Sequence, residues 1–258
     1  MTDEVRSHLE SGIFTLTIHR PDRRNALNQD VLTGLMEALR DAAANREVRV
    51  VTLTGAGDKV FCAGADLKSS LPEATAGEAF RRRDYRDLLL EILQCPKPTV
   101  ALARGHVMAG GLGLLLACDL ALACDDIHFS TPEIQVGMFP MMVLALLYRH
   151  VGRKKAAEML FLGERIPAAD ALAFGLVNHV YARGQFDDEA GRFVRLLAEK
   201  SAGILRLGKE AIRQVEDRTL GEDLEYLEAA LGRVMACEDS KEGMRAFVEK
   251  RKSHWRDE

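Results

Sequence analysis

The stretch IFTLTIHR, residues 13–20, alternates apolar and polar side chains with a period of two, the pattern of a half-buried strand. Two β-branched runs, VRVVTLTG (48–55) and TVALARG (99–105), close on glycine and predict two more strands. Between the first two strands, NQDVLTGLMEALRDAAAN sets Val31, Leu35, Met36 and Leu39 on one helical face. Between the next two, AFRRRDYRDLLLEILQC does the same with Leu88, Leu89 and Ile92. Strands alternating with helices in this order predict an α/β fold with a largely parallel sheet. DLALAC and IHFS add short strands. From about Met141 helical patterns dominate, interrupted by GERIPAAD and by the strand-like LVNHV, so the C-terminal third is expected to be a helical layer.

Length limits the number of cores: 258 residues suit one large α/β domain. We expect a core over residues 1–195 and a helical region over 196–258 that belongs to the same functional domain. No apolar run approaches the roughly 20 residues of a membrane-spanning helix. The opening MTDEVRSHLESG is polar and acidic, unlike a signal or transit peptide, which predicts a cytoplasmic address. Cys62, Cys95, Cys118, Cys124 and Cys237 form no CxxC pair and are expected to be free thiols. The seven histidines show no zinc-ligand spacing, so no metal site is predicted. A net charge of −4 gives no general attraction to nucleic acid. The arginine cluster RRRDYR (81–86) reads as a solvated helix face, or as a draw for ligand phosphates.

Two glycine turns follow strands, and each could turn backbone N–H groups toward an anion. The first, GAGDKVFCAGADLK (55–68), lacks the Lys-Ser/Thr ending of a P-loop. The second, GGLG from Gly110, carries Leu116 where a dinucleotide fingerprint wants its third glycine. On composition alone, both could simply reverse the chain.

Together the turns carry more. FCAGADLK, PKPTVALARGHVMAGGLGLLLACDLALA, FSTPEIQVGMFP and AADALAFGLVNHV occur in that order, within a span running from HRPDRRNAL to KEGMRAFVEKRK. With these motifs the chain resembles the crotonase superfamily, the enoyl-CoA hydratases and isomerases. The resemblance implies a crotonase-like spiral of ββα units with a C-terminal helical trimerisation region, hence a homotrimer or dimer of trimers. It implies an acyl-CoA substrate with no cofactor beyond the coenzyme A of the thioester. It also implies that the thioester carbonyl sits between the N–H groups of Ala65 and Gly111, which would stabilise the enolate oxygen as charge develops.

The same resemblance expects two glutamates. Glu133, in the PE segment, matches one as the acid/base residue, whereas Gly113 stands twenty residues earlier where the other belongs. A single glutamate suffices to move a proton between two carbons, whereas hydration also needs an oriented water, so hydratase activity is in doubt. His106, Asp66 and Glu73 are the neighbouring candidates for a substitute. Met141, Met142 and Val143 replace a glycine-rich segment and would make the pocket wall bulkier. By resemblance, Arg24, Ala63 and Lys68 line the coenzyme A channel, and Phe247 and Lys250 reach a neighbouring subunit's nucleotide. Other classes remain open: an acyl-CoA binder with little turnover, a serine peptidase, for which the second turn has no nucleophilic serine, or an RNA binder, for which only RRRDYR is basic.

Overall fold

The computed structural model describes residues 3–66, 81–215 and 219–256. Val5–Glu10 (β1) and Ile13–Ile18 (β2) form a hairpin. Helix α1 (Gln29–Ala44) follows, capped by Asn28, whose side chain accepts a hydrogen bond from the Val31 N–H at 3.0 Å. Its buried face holds Val31, Leu32, Leu35, Ala38, Leu39 and Ala42, and Met36 packs partly buried beside them.

The chain then repeats one unit three times. Val50–Gly55 (β3) leads to Val60–Cys62 (β4); after residues 67–80 comes helix α2 (Arg82–Gln94). Thr99–Ala103 (β5) leads to His106–Met108 (β6) and helix α3 (Gly110–Ala117). Leu120–Cys124 (β7) leads to His128–Ser130 (β8), a 3₁₀ turn over Pro132–Val136 and helix α4 (Met141–His150). The first strand of each unit joins one sheet and the second joins another, which makes a spiral of ββα units.

The larger sheet has the order β1-β2-β3-β5-β7-β10, where β10 is His179–Tyr181, and is parallel from β2 onward. The smaller has the order β4-β6-β8-β9, where β9 is Ile166–Pro167 and pairs antiparallel. LVNHV therefore contributes a strand starting at His179 rather than Leu176; Leu176 and Val177 are buried ahead of it. Helix α3 packs against α2, α4, β4 and β6 and is buried along every residue but Gly110, which fits a sequence apolar on all sides.

The C-terminal part is helical: α5 (Arg153–Leu162), α6 (Ala168–Ala173), α7 (Phe186–Ala198), α8 (Ala202–Gln214), α9 (Leu220–Ala236) and α10 (Glu238–Glu249). Among the described residues no helix is long and apolar enough to cross a membrane.

Candidate active site

The first turn is set up by a break in β4. The register of β4 against β6 shifts between Val60 and Cys62, which turns the chain out of the sheet just before Ala63. Gly64 follows with φ of +84°, a conformation that suits glycine, and a β-carbon there would come within 2.7 Å of the Gly110 nitrogen. Leu27 holds the strand-like edge of the turn: its N–H donates to the Gly64 carbonyl and its carbonyl accepts from the Asp66 N–H, both at 2.8 Å. The Ala65 N–H takes no part in that bridge. Asn25 explains much of HRPDRRNAL, because its buried side chain donates to the Ala56 and Val60 carbonyls at 3.0 and 2.6 Å.

The second turn is an elbow with no connecting loop. Ala109 sits between β6 and α3 at φ 51°, ψ −130°, a sparsely populated conformation costing about 1–3 kcal/mol, and its N–H donates to the Ser130 carbonyl at 2.9 Å. Gly110 and Gly111 then open the helix, whose first-turn N–H groups have no acceptors within it. At Gly111 a β-carbon would collide with the Cys62 carbonyl and lie 2.8 Å from the Cys62 β-carbon. The two glycine turns are thus in direct contact, with Ala65 and Gly111 one residue beyond the touching Gly64 and Gly110.

Glu133 approaches on the 3₁₀ turn. Thr131, fully buried, anchors that turn to α5 by donating to the Met159 carbonyl at 2.8 Å. Glu133 is half-buried, and its Oε2 has no hydrogen-bond partner among the described residues. Burial raises its pKa above the ordinary carboxylate value, against a hydrogen bond from its own backbone N–H.

Among the described residues, the space of a side chain at position 113 is taken by the phenol of α2. Tyr85 is 3% exposed, and its hydroxyl occupies the space where a β-carbon on Gly113 would stand, while Val143 Cγ2 lies 3.4 Å from it. The hydroxyl donates to the Gly110 carbonyl at 2.6 Å. Burial, and then the proximity of the acidic groups of Cys62 and Glu133, push its pKa well above the ordinary tyrosine value, so it stays a neutral donor. Sequence reasoning missed this residue. The signal was present, since Tyr85 extends the spacing of Leu88, Leu89 and Ile92 by one turn, but it sits inside RRRDYR, whose four arginines are indeed exposed.

The other candidates fall elsewhere. Arg20 holds Asp66 in an ion pair at 3.2 Å and Glu4 in another at 2.9 Å, which gives Asp66 a role in the turn itself. His106 accepts from the His128 N–H at 3.1 Å and packs against the His128 ring. Arg24 lies beside Ala63, whose N–H donates to its carbonyl at 3.2 Å, and it opens onto a cleft of about 530 Å³ with Lys59, Arg165 and Arg183 at its edges. Lys68 and Glu73 lie outside the described residues. Phe247, 85% exposed, and Lys250 end α10, whose main neighbours are α8 and α9. Of the three bulky residues after Pro140, Val143 is buried against the Gly113 region, Met142 is partly buried and Met141 is exposed. Burial pushes the Cys62 thiol up to about 12, which makes it a packing group rather than a nucleophile. Among the described residues no cluster of three His, Cys, Asp or Glu side chains could hold a metal ion.

A two-sheet ββα spiral with paired glycine turns defines a class of fold, and comparison with known proteins places it. A sequence model of the Enoyl-CoA hydratase/isomerase family matches residues 8–258, and the chain belongs to that family. A Thermus thermophilus protein named as an enoyl-CoA hydratase is 36% identical over 247 residues, covering 94% of this chain and 97% of its own. The crystal structure of human enoyl coenzyme A hydratase domain-containing protein 3 superposes with a TM-score of 0.92 at 30% identity, over 98% of this chain and 100% of that one. That of a Mycobacterium smegmatis enoyl-CoA hydratase gives 0.91 at 33% identity, over 98% and 99%.

Proposed function

We propose that this protein shifts a double bond along the acyl chain of a coenzyme A thioester. The observation that carries the reading is Glu133: a half-buried carboxylate whose Oε2 has no hydrogen-bond partner among the described residues, while a phenol rather than a second carboxylate fills the space at position 113. Glu133 takes a proton from C2 of a 3-enoyl thioester, and the electron pair moves onto the thioester oxygen. The N–H groups of Ala65 and Gly111 stabilise that oxygen, and Gly111 adds the positive end of the α3 dipole. Glu133 then returns the proton to C4, leaving a 2-enoyl thioester. One proton leaves and one arrives, so one acid/base group is sufficient. Efficient hydration would need a second group to hold water, and the family's usual position for it has no side chain.

Arg24 and Ala63 on one side, and Lys68 by resemblance, would line the coenzyme A channel. Leu224, Leu227 and Leu231 form an exposed stripe on α9 that suits contact with further copies, as a homotrimer or dimer of trimers carrying Phe247 and Lys250 to a neighbour's nucleotide. The five free thiols suit a reducing, cytoplasmic setting. The test is NMR and mass spectrometry in deuterated water with 2-enoyl- and 3-enoyl-CoA, on the native protein and Glu133→Gln. Double-bond migration with deuterium at C2 or C4, lost in the variant, supports the proposal. Hydrated product would overturn it, and binding without exchange would favour an acyl-CoA binder.

A further inference from the structure

The Tyr85 hydroxyl donates to the Gly110 carbonyl at 2.6 Å, and the peptide that begins with that carbonyl ends with the Gly111 N–H. A donor on a peptide oxygen draws charge along the amide and makes its N–H a stronger donor. The Gly110 carbonyl also faces the Leu114 N–H one helical turn on, and a carbonyl has two lone pairs to serve both. The peptide lies beside the strained Ala109, so its orientation matters: a small rotation about φ or ψ there would swing the Gly111 N–H away. The ring is fully buried and the phenol has no charged state near neutral pH, so its proton stays available to Gly110.

We propose that Tyr85 is a positioning residue of the oxyanion hole, bracing and polarising the 110–111 peptide from the space that position 113 leaves vacant. This rests on the acyl-CoA reading above. The glycine at 113 then has a positive role, because it makes room for the phenol at the peptide oxygen. The sequence departure that removes one carboxylate and the hydrogen bond that strengthens the oxyanion donor are the same piece of packing.

The test reads the hole directly. Butyryl-CoA labelled with ¹³C at the thioester carbonyl has no double bond to move, and isotope-difference infrared spectroscopy reports how far its C=O stretch falls on binding. Native protein should lower the stretch relative to free thioester. Tyr85→Phe, which keeps the ring, should lower it less; 3-fluorotyrosine at 85, a stronger donor of nearly the same size, should lower it more. With 3-enoyl-CoA, Tyr85→Phe should reduce kcat about tenfold while KM stays within about twofold, since the developing oxyanion feels the stronger donor far more than the neutral carbonyl of the ground state does. Equal infrared shifts in all three proteins overturn the inference, even if isomerisation proceeds. The predicted order of shifts without isomerisation overturns the proposed reaction and leaves the inference standing. A native shift of zero overturns both.

Discussion

The hydroxyl of Tyr85, on α2, fills the volume that a β-carbon on Gly113, inside α3, would need. Alanine in a helix interior is ordinarily about 0.5–1 kcal/mol better than glycine, yet here the added methyl meets the phenol. We expect Gly113→Ala to destabilise by about 1–3 kcal/mol through overpacking. In a Tyr85→Phe background the hydroxyl is gone, and the nearest remaining atoms, ring Cζ and Val143 Cγ2, both lie at 3.4 Å, an ordinary contact. The same substitution should then be nearly neutral. Urea unfolding of the four proteins measures the coupling; a value below about 0.5 kcal/mol would mean that the phenol yields freely.

Glu133 couples activity and stability to pH in opposite senses. Its folded pKa lies above the unfolded value because burial disfavours the charge. As a base it must be ionised, so isomerisation should rise with pH through that elevated pKa, and Glu133→Gln should lower kcat about 10²- to 10⁴-fold and lose the limb. For stability the sign is reversed. The folded state binds the proton more tightly, so the native protein loses stability as pH rises from the unfolded pKa through the folded one. Above that window Glu133→Gln should melt a few degrees higher than the native protein, and the two should converge as pH falls below it. Calorimetry from pH 4 to 8 checks this; a variant that melts lower at pH 8 would show that the ionised carboxylate is stabilised rather than strained.

Much of the fold was legible because long amphipathic elements carry their own period. Val31, Leu35 and Leu39 of α1 and Leu88, Leu89 and Ile92 of α2 are buried as their spacing requires. The division into two sheets was not legible from periodicity, since β4, β6 and β8 have three residues each, too few to show alternation. Only the resemblance supplied it. The site divided in the same way. Gly111 and Glu133 could be picked out by motif, but Tyr85 belongs to no motif, and its role depends on where α2 crosses α3. Nor does the sequence around Gly111 say why it must be glycine; the reason is the Cys62 carbonyl on a distant strand.

That contact makes Gly111→Ala a test of geometry. The added β-carbon overlaps the Cys62 carbonyl and approaches the Cys62 β-carbon, both parts of the turn that carries Ala65. Backbone has to move, and the two proposed N–H donors move apart. We expect a loss in kcat of about 10²- to 10³-fold, comparable to removal of one oxyanion donor, with a smaller loss in acyl-CoA affinity. Steady-state kinetics beside isothermal titration with butyryl-CoA separates the two. An unchanged kcat would remove Gly111 from the chemistry.

Lys209, on α8, tests whether residues 196–258 fold as one unit with the core. Its ammonium, with the side chain 8% exposed, pairs with Asp119 at 2.6 Å and donates to the Lys97 carbonyl at 3.1 Å. Asp119 in turn accepts from the backbone N–H and the hydroxyl of Thr99 at 2.7 and 2.8 Å, so one lysine ties the helical region to the starts of β5 and β7. Lys209→Met keeps the aliphatic packing and removes the charge. Asp119 retains its two donors and a side chain 33% exposed, so the loss should fall near 1–3 kcal/mol rather than the 3–5 of a wholly buried broken pair. Trp255, the single tryptophan, donates to the Glu199 carbonyl at 2.7 Å and reports on the helical region by fluorescence. Far-ultraviolet circular dichroism reports on the whole chain. If the two regions form one cooperative unit, both signals should unfold together in the native protein and shift together in the variant. A tryptophan transition that separates from the dichroism in Lys209→Met would mean that the lysine is the main tie between two regions able to unfold apart.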